Sequence, residues 1–286
     1  MFIKIKRIID DFILRYNCKK FFIKPYDERV GEVKFLYAHK KNKERFKDYF
    51  DENFNILNNS QFFFDILFSF CVKLDLKKIH QIGCFTCEEL RFLIEKKVNL
   101  EFSASDFDLE RIDFLKKRFL KTKYKKINFK KIDLEKTSKL DFKGYDLICA
   151  NSVFSNIQPE NLSKLLSNLT DGSKILLIGD VYSKESLNTN ERKSFNIPRQ
   201  KNYFHPFISI SRQLNLNYIF VPDFNNTSFT IARCVYIIYK KFDKKKIEKS
   251  LGFALKNYLA RQNKIFQEYN EVNINKKWVK GKRWNT

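Results

Sequence analysis

Residues 77–106 begin Lys77-Lys-Ile-His-Gln-Ile-Gly83-Cys-Phe-Thr-Cys87-Glu-Glu-Leu90, continue in a helical pattern through Lys97, and end at Phe102-Ser-Ala-Ser-Asp106. A short apolar run breaks at Gly83, a helix opens with Glu88 and Glu89 in its first turn, and Asp106 closes the next strand. That order is the pattern of a nucleotide-binding βαβ unit. Glycine lets the backbone turn tightly at a strand end and approach a ligand, and a carboxylate after the second strand accepts hydrogen bonds from ribose hydroxyls. Of the three turn glycines such a loop usually carries, only Gly83 is present, so the loop alone is a weak motif.

Its weight comes from the segments C-terminal to it. Ile127 to Asp133 reads as a short strand ending in a second carboxylate, Gly144 to Asn151 as a buried strand running into the polar turn Asn151-Ser-Val-Phe154, and Lys174 to Asp180 as another. Helical segments at Leu109–Leu120 and Pro159–Leu169 separate them. Continuous apolar strands alternating with helices predict a mostly parallel α/β sheet covered on both faces. Every strand of the series then places polar residues at its carboxyl end.

These residues resemble the class I S-adenosylmethionine (SAM)-dependent methyltransferases, a Rossmann-like family. The resemblance spans roughly Ile79 to Lys240 and includes a pair, Asn217–Val221 and Arg233–Lys240, that looks like the family's terminal antiparallel hairpin. It implies SAM as cofactor. Gly83 with Cys84 and Phe85 would form the loop around the methionine part, Asp106 would be the ribose acid, Asp133 the acid near the adenine amine, and Asn151 the start of the segment after the fourth strand. Gln81 stands where the family commonly has an acid, Phe85 at the second glycine and Cys87 at the third. A positive φ at Phe85 would cost on the order of 1 kcal/mol or more.

At 286 residues the chain can bury a substantial core. One domain over 61–240 is expected, with a basic helical extension at 1–60 and a basic helix and tail at 241–286. Between Ser183 and Tyr203 lies a polar insertion long enough to build a substrate lid. No apolar run reaches the 18 or more residues of a membrane span, and Asp10 and Asp11 interrupt the start as a signal peptide, so cytoplasmic residence is the expectation. Met1 to Tyr16 gathers Ile5, Ile8, Ile9 and Phe12 on one helical face. That face suits packing on the body of the protein, or peripheral contact with the inner, anionic membrane face. Ile247, Leu251, Ala254, Tyr258, Ile265 and Tyr269 predict a long amphipathic helix that covers the sheet or makes a dimer contact; the oligomeric state stays open.

The net charge of +23 invites nucleic acid as a partner, but it is spread along the chain, and lysine outnumbers arginine roughly three to one. Arginine forks suited to phosphate are therefore scarce, and nucleic acid is not favoured. Trp278 and Trp284 lie in a polar, basic tail that reads as disordered. The six cysteines read as small buried hydrophobes of a reducing compartment, including the Cys84-x-x-Cys87 pair, and with three histidines and no second cysteine pair no metal site is expected.

Methyl transfer needs an in-line acceptor and, for a hydroxyl, a group to take the proton. His205 is the titratable candidate for that base. Asn151, Ser152, Asp180 and Tyr182 should border the pocket. Family members that methylate planar amines usually carry Asn-Pro-Pro-Tyr or Asp-Pro-Pro-Tyr where Asn151-Ser-Val-Phe154 stands, and Cys149 lacks the setting of the cytosine-directed nucleophile. The resemblance therefore implies O-methylation of a small molecule or glycan. The alternatives are an RNA methyltransferase, a catalytically degenerate interaction protein, and, less favoured, another nucleotide-dependent enzyme such as a dehydrogenase.

Overall fold

The computed structural model of the chain describes residues 2–38, 44, 46, 47, 50, 62–183, 185–187, 190, 193–197, 201–227 and 232–274. Parts of the expected 1–60 extension and of the 183–203 insertion, and the tail with Trp278 and Trp284, lie outside the described residues.

The core is a seven-stranded sheet. Strands β1 (Lys78–Ile82), β2 (Glu101–Asp106), β3 (Asn128–Lys131), β4 (Tyr145–Asn151) and β5 (Ser173–Tyr182) run parallel. A separate two-stranded ribbon joins β6 (Phe195–Asn196) to β7 (Tyr203–Phe204). In the main sheet again, β8 (Asn217–Thr227) and β9 (Ala232–Tyr239) form an antiparallel hairpin, and β9 pairs antiparallel with β5. The strand order is β3-β2-β1-β4-β5-β9-β8, the Rossmann-like methyltransferase sheet.

The central strands are apolar in unbroken runs because helices cover both faces. One layer of core, with Ile79, Leu147, Leu177 and Ile237, lies under α3 (Phe62–Lys73), α4 (Glu88–Glu95) and α8 (Lys244–Ile274). The other, with Ile148, Leu176, Ile178 and Ile238, lies under α6 (Pro159–Gly172) and α7 (Phe207–Gln213). α5 (Leu109–Phe119) starts where Asp108 caps it, its carboxylate accepting from the amides of Glu110 and Arg111 at 3.1 and 3.4 Å. Pro159 opens α6, where a missing N–H costs nothing.

The long C-terminal helix covers the sheet. Ile247, Ala254 and Tyr258 are buried, Tyr258 packs on Phe62 with ring centroids 4.8 Å apart, and Ser69 donates to the Ser250 carbonyl at 2.6 Å. At the other end, α1 (Phe2–Phe22) touches the body through Cys18 and Phe21 in its last turns, while Ile9, Phe12, Ile13 and Tyr16 are at least half exposed. Among its described side chains, packing on the body is thus confined to the C-terminal part of the helix. α2 (Tyr26–Ala38) comes next and is docked much more tightly, through Arg29. Among the described residues, no helix is long and apolar enough to cross a membrane.

Candidate active site

Strand order reverses between β1 and β4, and in an open α/β sheet ligands bind in the crevice that this reversal opens at the carboxyl ends of the strands. A cavity of about 340 Å³ lies there, walled by Gly83, Asp106, Asp133 and Asn151 from four successive strand ends. Phe85 also lines it. Gln81 and Cys84 are buried just behind the loop.

The loop keeps the backbone of a three-glycine turn with one glycine. Gly83, Phe85 and Cys87 all have positive φ, at 60°, 44° and 60°. At Gly83 a Cβ would lie 2.5 Å from Val153 Cγ2, so this position accepts no side chain without movement. Phe85 tolerates its conformation with its ring turned onto Phe46, at 5.2 Å between centroids, and beside the Arg111 guanidinium at 5.4 Å. Cys87 is fully buried, and its thiol donates to Gln81 Oε1 at 3.6 Å.

Asp106 is buried and heavily engaged. Its carboxylate accepts from the amides of Phe85 and Asp108 at 3.3 and 3.1 Å, and Arg111 Nη1 reaches both of its oxygens at 3.1 and 3.0 Å. Asp133, just past β3, accepts from the Glu135 amide at 3.2 Å and forms an ion pair with Lys34 of α2. Asp106 and Asp133 thus each already face a cation.

Where an acid is usual at the end of β1, Gln81 instead donates to the buried carboxylate of Glu89 from α4. Asn151 donates to the other oxygen of Glu89 at 3.1 Å. Burial pushes the Glu89 carboxyl up to about 7. An acid therefore does sit between β1 and β4, carried by the helix rather than the strand.

No pattern in the sequence signalled the wall contributed by α2. Val30, Val33 and Lys34 line the cavity because Arg29 anchors the helix: its Nη1 donates to Gln158 Oε1 at 3.0 Å and to the Tyr203 hydroxyl at 2.8 Å, and its Nε to the Lys24 carbonyl at 3.1 Å. Arg111 could have been found, since it lies in the first turn of the helix that follows Asp106.

His205 corrects an expectation. It is buried, does not line the cavity, and has both ring nitrogens engaged: Nε2 donates to the Phe154 carbonyl at 2.9 Å, leaving Nδ1 to accept from the Ser194 hydroxyl at 2.8 Å. Burial lowers it to about 4. The ring ties the β7 end to the turn after β4 and has no nitrogen free to take a substrate proton. His80 is equally enclosed, between the hydroxyls of Ser103 and Ser105 at 3.0 and 2.8 Å.

Asp180, at the end of β5, lines a separate narrow crevice together with Phe62, Phe63, Asn151 and Arg233. Asn151 borders both spaces. It can approach β5 so closely because residue 179 is glycine: a Cβ there would lie 2.8 Å from Asn151 Oδ1.

Comparison with known proteins agrees with this geometry. A family described as a methyltransferase domain matches residues 80–174. The plantazolicin methyltransferase BpumL, solved with a triazolic desmethylPZN analog and SAH, is 13% identical, with a TM-score of 0.52 over 79% of this chain and 100% of its own. An S-adenosylmethionine-dependent methyltransferase from Clostridium acetobutylicum ATCC 824 is 14% identical, with a TM-score of 0.48 over 70% of this chain and 99% of its own. No curated protein sequence matches the chain. Sheet order, strand-end site and domain match define a protein of the class I methyltransferase fold. Within that fold, residues 80–174 are the part that matches a methyltransferase domain.

Proposed function

We propose that the cavity holds SAM and that the protein transfers its methyl group to a hydroxyl of a small molecule or glycan. The observation that carries the reading is the convergence of Asp106 and Asp133 on one cavity beside the Gly83 turn. Asp106 is placed to accept from the ribose hydroxyls once Arg111 yields, and Asp133 to accept from the adenine amine once Lys34 yields. Gly83 turns the chain at the end of β1, and the turn lines the part of the cavity next to Asn151 that would take the methionine portion. When bound, the cofactor supplies an electrophilic methyl group on a sulfonium. The chain's own part is to hold that group, exclude water and position the acceptor oxygen.

Hydroxyl transfer is supported by the turn after β4, where Ser152-Val153-Phe154 offers none of the prolines that clamp a planar amine in the relatives that methylate one. BpumL, solved with SAH in the same fold, supports the cofactor assignment. Calorimetric titration with SAM and with its demethylated product SAH, using NAD as the control, tests the reading. Saturable binding of both sulfur ligands, lost in a folded Asp106→Ala variant, is expected. Absence of binding by folded protein, or unchanged affinity in the variant, would overturn it.

A further inference from the structure

Of the twelve large apolar side chains exposed among the described residues, six lie between Ile9 and Ile23. Scattered apolar side chains are ordinary on a protein surface, but a continuous patch marks a contact. Four of the six form one stripe along α1, with Phe12, Ile13 and Tyr16 at three, four and seven residues from Ile9. Phe12 is 70% exposed and the other three about half. On the opposite side of the helix, Cys18 follows Ile9 by nine residues, two and a half turns, and is buried together with Phe21. The docked helix therefore keeps a second apolar side facing outward.

Six cations and two acids accompany these residues in α1. Lys19 and Lys20 lie seven residues beyond Phe12 and Ile13 and continue the stripe into a positively charged turn. The Lys20 ammonium is 4.7 Å from the centre of the Tyr16 ring, so its stem runs along the apolar surface with the charge at the end. By helical position Asp11 falls on the side of Cys18 and Asp10 on that of Phe21, seven and eleven residues before them and away from the stripe.

We propose that α1 is a membrane-contact element that lies in the headgroup layer of an anionic bilayer, the stripe inserted and Arg15, Lys19 and Lys20 against the lipid phosphates. Charge selects this occupant. A second copy would bring the same cationic helix, in a chain of net charge +23, against the stripe, whereas an anionic surface attracts it. Among the described residues no helix is long and apolar enough to cross a membrane, so α1 lies on the bilayer rather than through it. α2, which walls the cavity, follows α1 after Ile23, Lys24 and Pro25, and the docked helix holds the cavity beside the bilayer whatever occupies it.

The test mixes the full chain with vesicles of phosphatidylcholine, with or without phosphatidylglycerol, and separates bound from free protein by flotation. Binding that requires phosphatidylglycerol and declines as salt is raised is expected. Phe12→Ser combined with Ile13→Ser should lower the partition coefficient about tenfold or more. Lys19→Glu combined with Lys20→Glu should also lower it by about tenfold or more. Leu140→Ser, at a leucine equally exposed in the turn before β4, should leave it unchanged. Wild type that binds neither vesicle, or both equally at every salt concentration, overturns the proposal. So does a folded stripe variant that binds as wild type; should the double serine variant not fold, Phe12→Ser alone is read in its place. A dimer by light scattering that the stripe variant dissociates would give the stripe to a second copy and likewise overturn the proposal.

Discussion

Replacing Arg111 with methionine should lower stability and tighten cofactor binding together. The guanidinium is 9% exposed, its partner Asp106 only 3%, and the two contacts are 3.1 and 3.0 Å. Removing one member of such a buried pair strands the other, at a typical cost of about 3–5 kcal/mol. Asp106 keeps the amides of Phe85 and Asp108, and methionine can fill the space between Phe46 and Phe85 where the guanidinium now lies, 5.0 and 5.4 Å from their centroids. The loss should therefore fall near the lower end, about 3 kcal/mol, which a domain of ordinary stability survives. A ribose that binds wild type must compete with Arg111 for Asp106; in the variant it meets an unpaired acceptor. Affinity for SAH should rise about tenfold or more, equivalent to about 1.4 kcal/mol. Urea unfolding at fixed SAH, compared with calorimetric affinity, reads both effects, because ligand that binds only the native state adds stability as the logarithm of one plus its concentration over its Kd. Equal SAH affinity in the variant and wild type would show that Arg111 does not compete with the ribose, and the assignment of Asp106 would fail with it.

Glu89 makes a pH prediction. Its folded value of about 7 lies above its ordinary one, so the native state holds a proton that the unfolded chain has already released. The contribution is full below pH about 4.5 and is lost as pH rises through about 7. Glu89→Gln, which cannot ionise, should gain stability relative to wild type across that window and level off above it, as urea midpoints at successive pH values would show; a constant difference would mean that Glu89 ionises normally. Gly83→Ala should lose about 1–2 kcal/mol from the left-handed backbone alone and more from the 2.5 Å approach to Val153 Cγ2. Adding Val153→Ala should restore part of the steric share in chemical denaturation; no recovery would place the strain elsewhere.

The sheet was legible because buried parallel strands leave a simple trace. Runs such as Leu147-Ile-Cys-Ala150 and Ile175-Leu-Leu-Ile178 have no polar residue on either face, and their ends had to lie at one edge of the sheet. Asp106, Asp133 and Asn151 meet around the cavity for that reason alone. The α2 wall was not legible, since Val30 and Val33 reach the cavity only through the contacts of Arg29 with Gln158 and Tyr203, more than a hundred residues away. His205 misled because the sequence shows an imidazole but not the carbonyl of Phe154 and the hydroxyl of Ser194 that occupy it. The acid missing at Gln81 was also present all along at Glu89, eight residues on, and only the fold brings the two side chains together.

A wall contributed by α2 ties the pocket to a helix that lies outside the matched domain. Val30, Val33 and Lys34 line the cavity, and the helix that carries them is latched to the body by Arg29, by the Tyr26 hydroxyl on Glu135, by Glu32 with Lys201 and by the pair from Lys34 to Asp133. Loosening that latch, as Arg29→Ala would, should shorten the residence time of a ligand seated against α2. A core trimmed to the matched domain, residues 80–174, would lack both this latch and the wall it holds, and would release its ligand quickly even with every strand-end carboxylate in place.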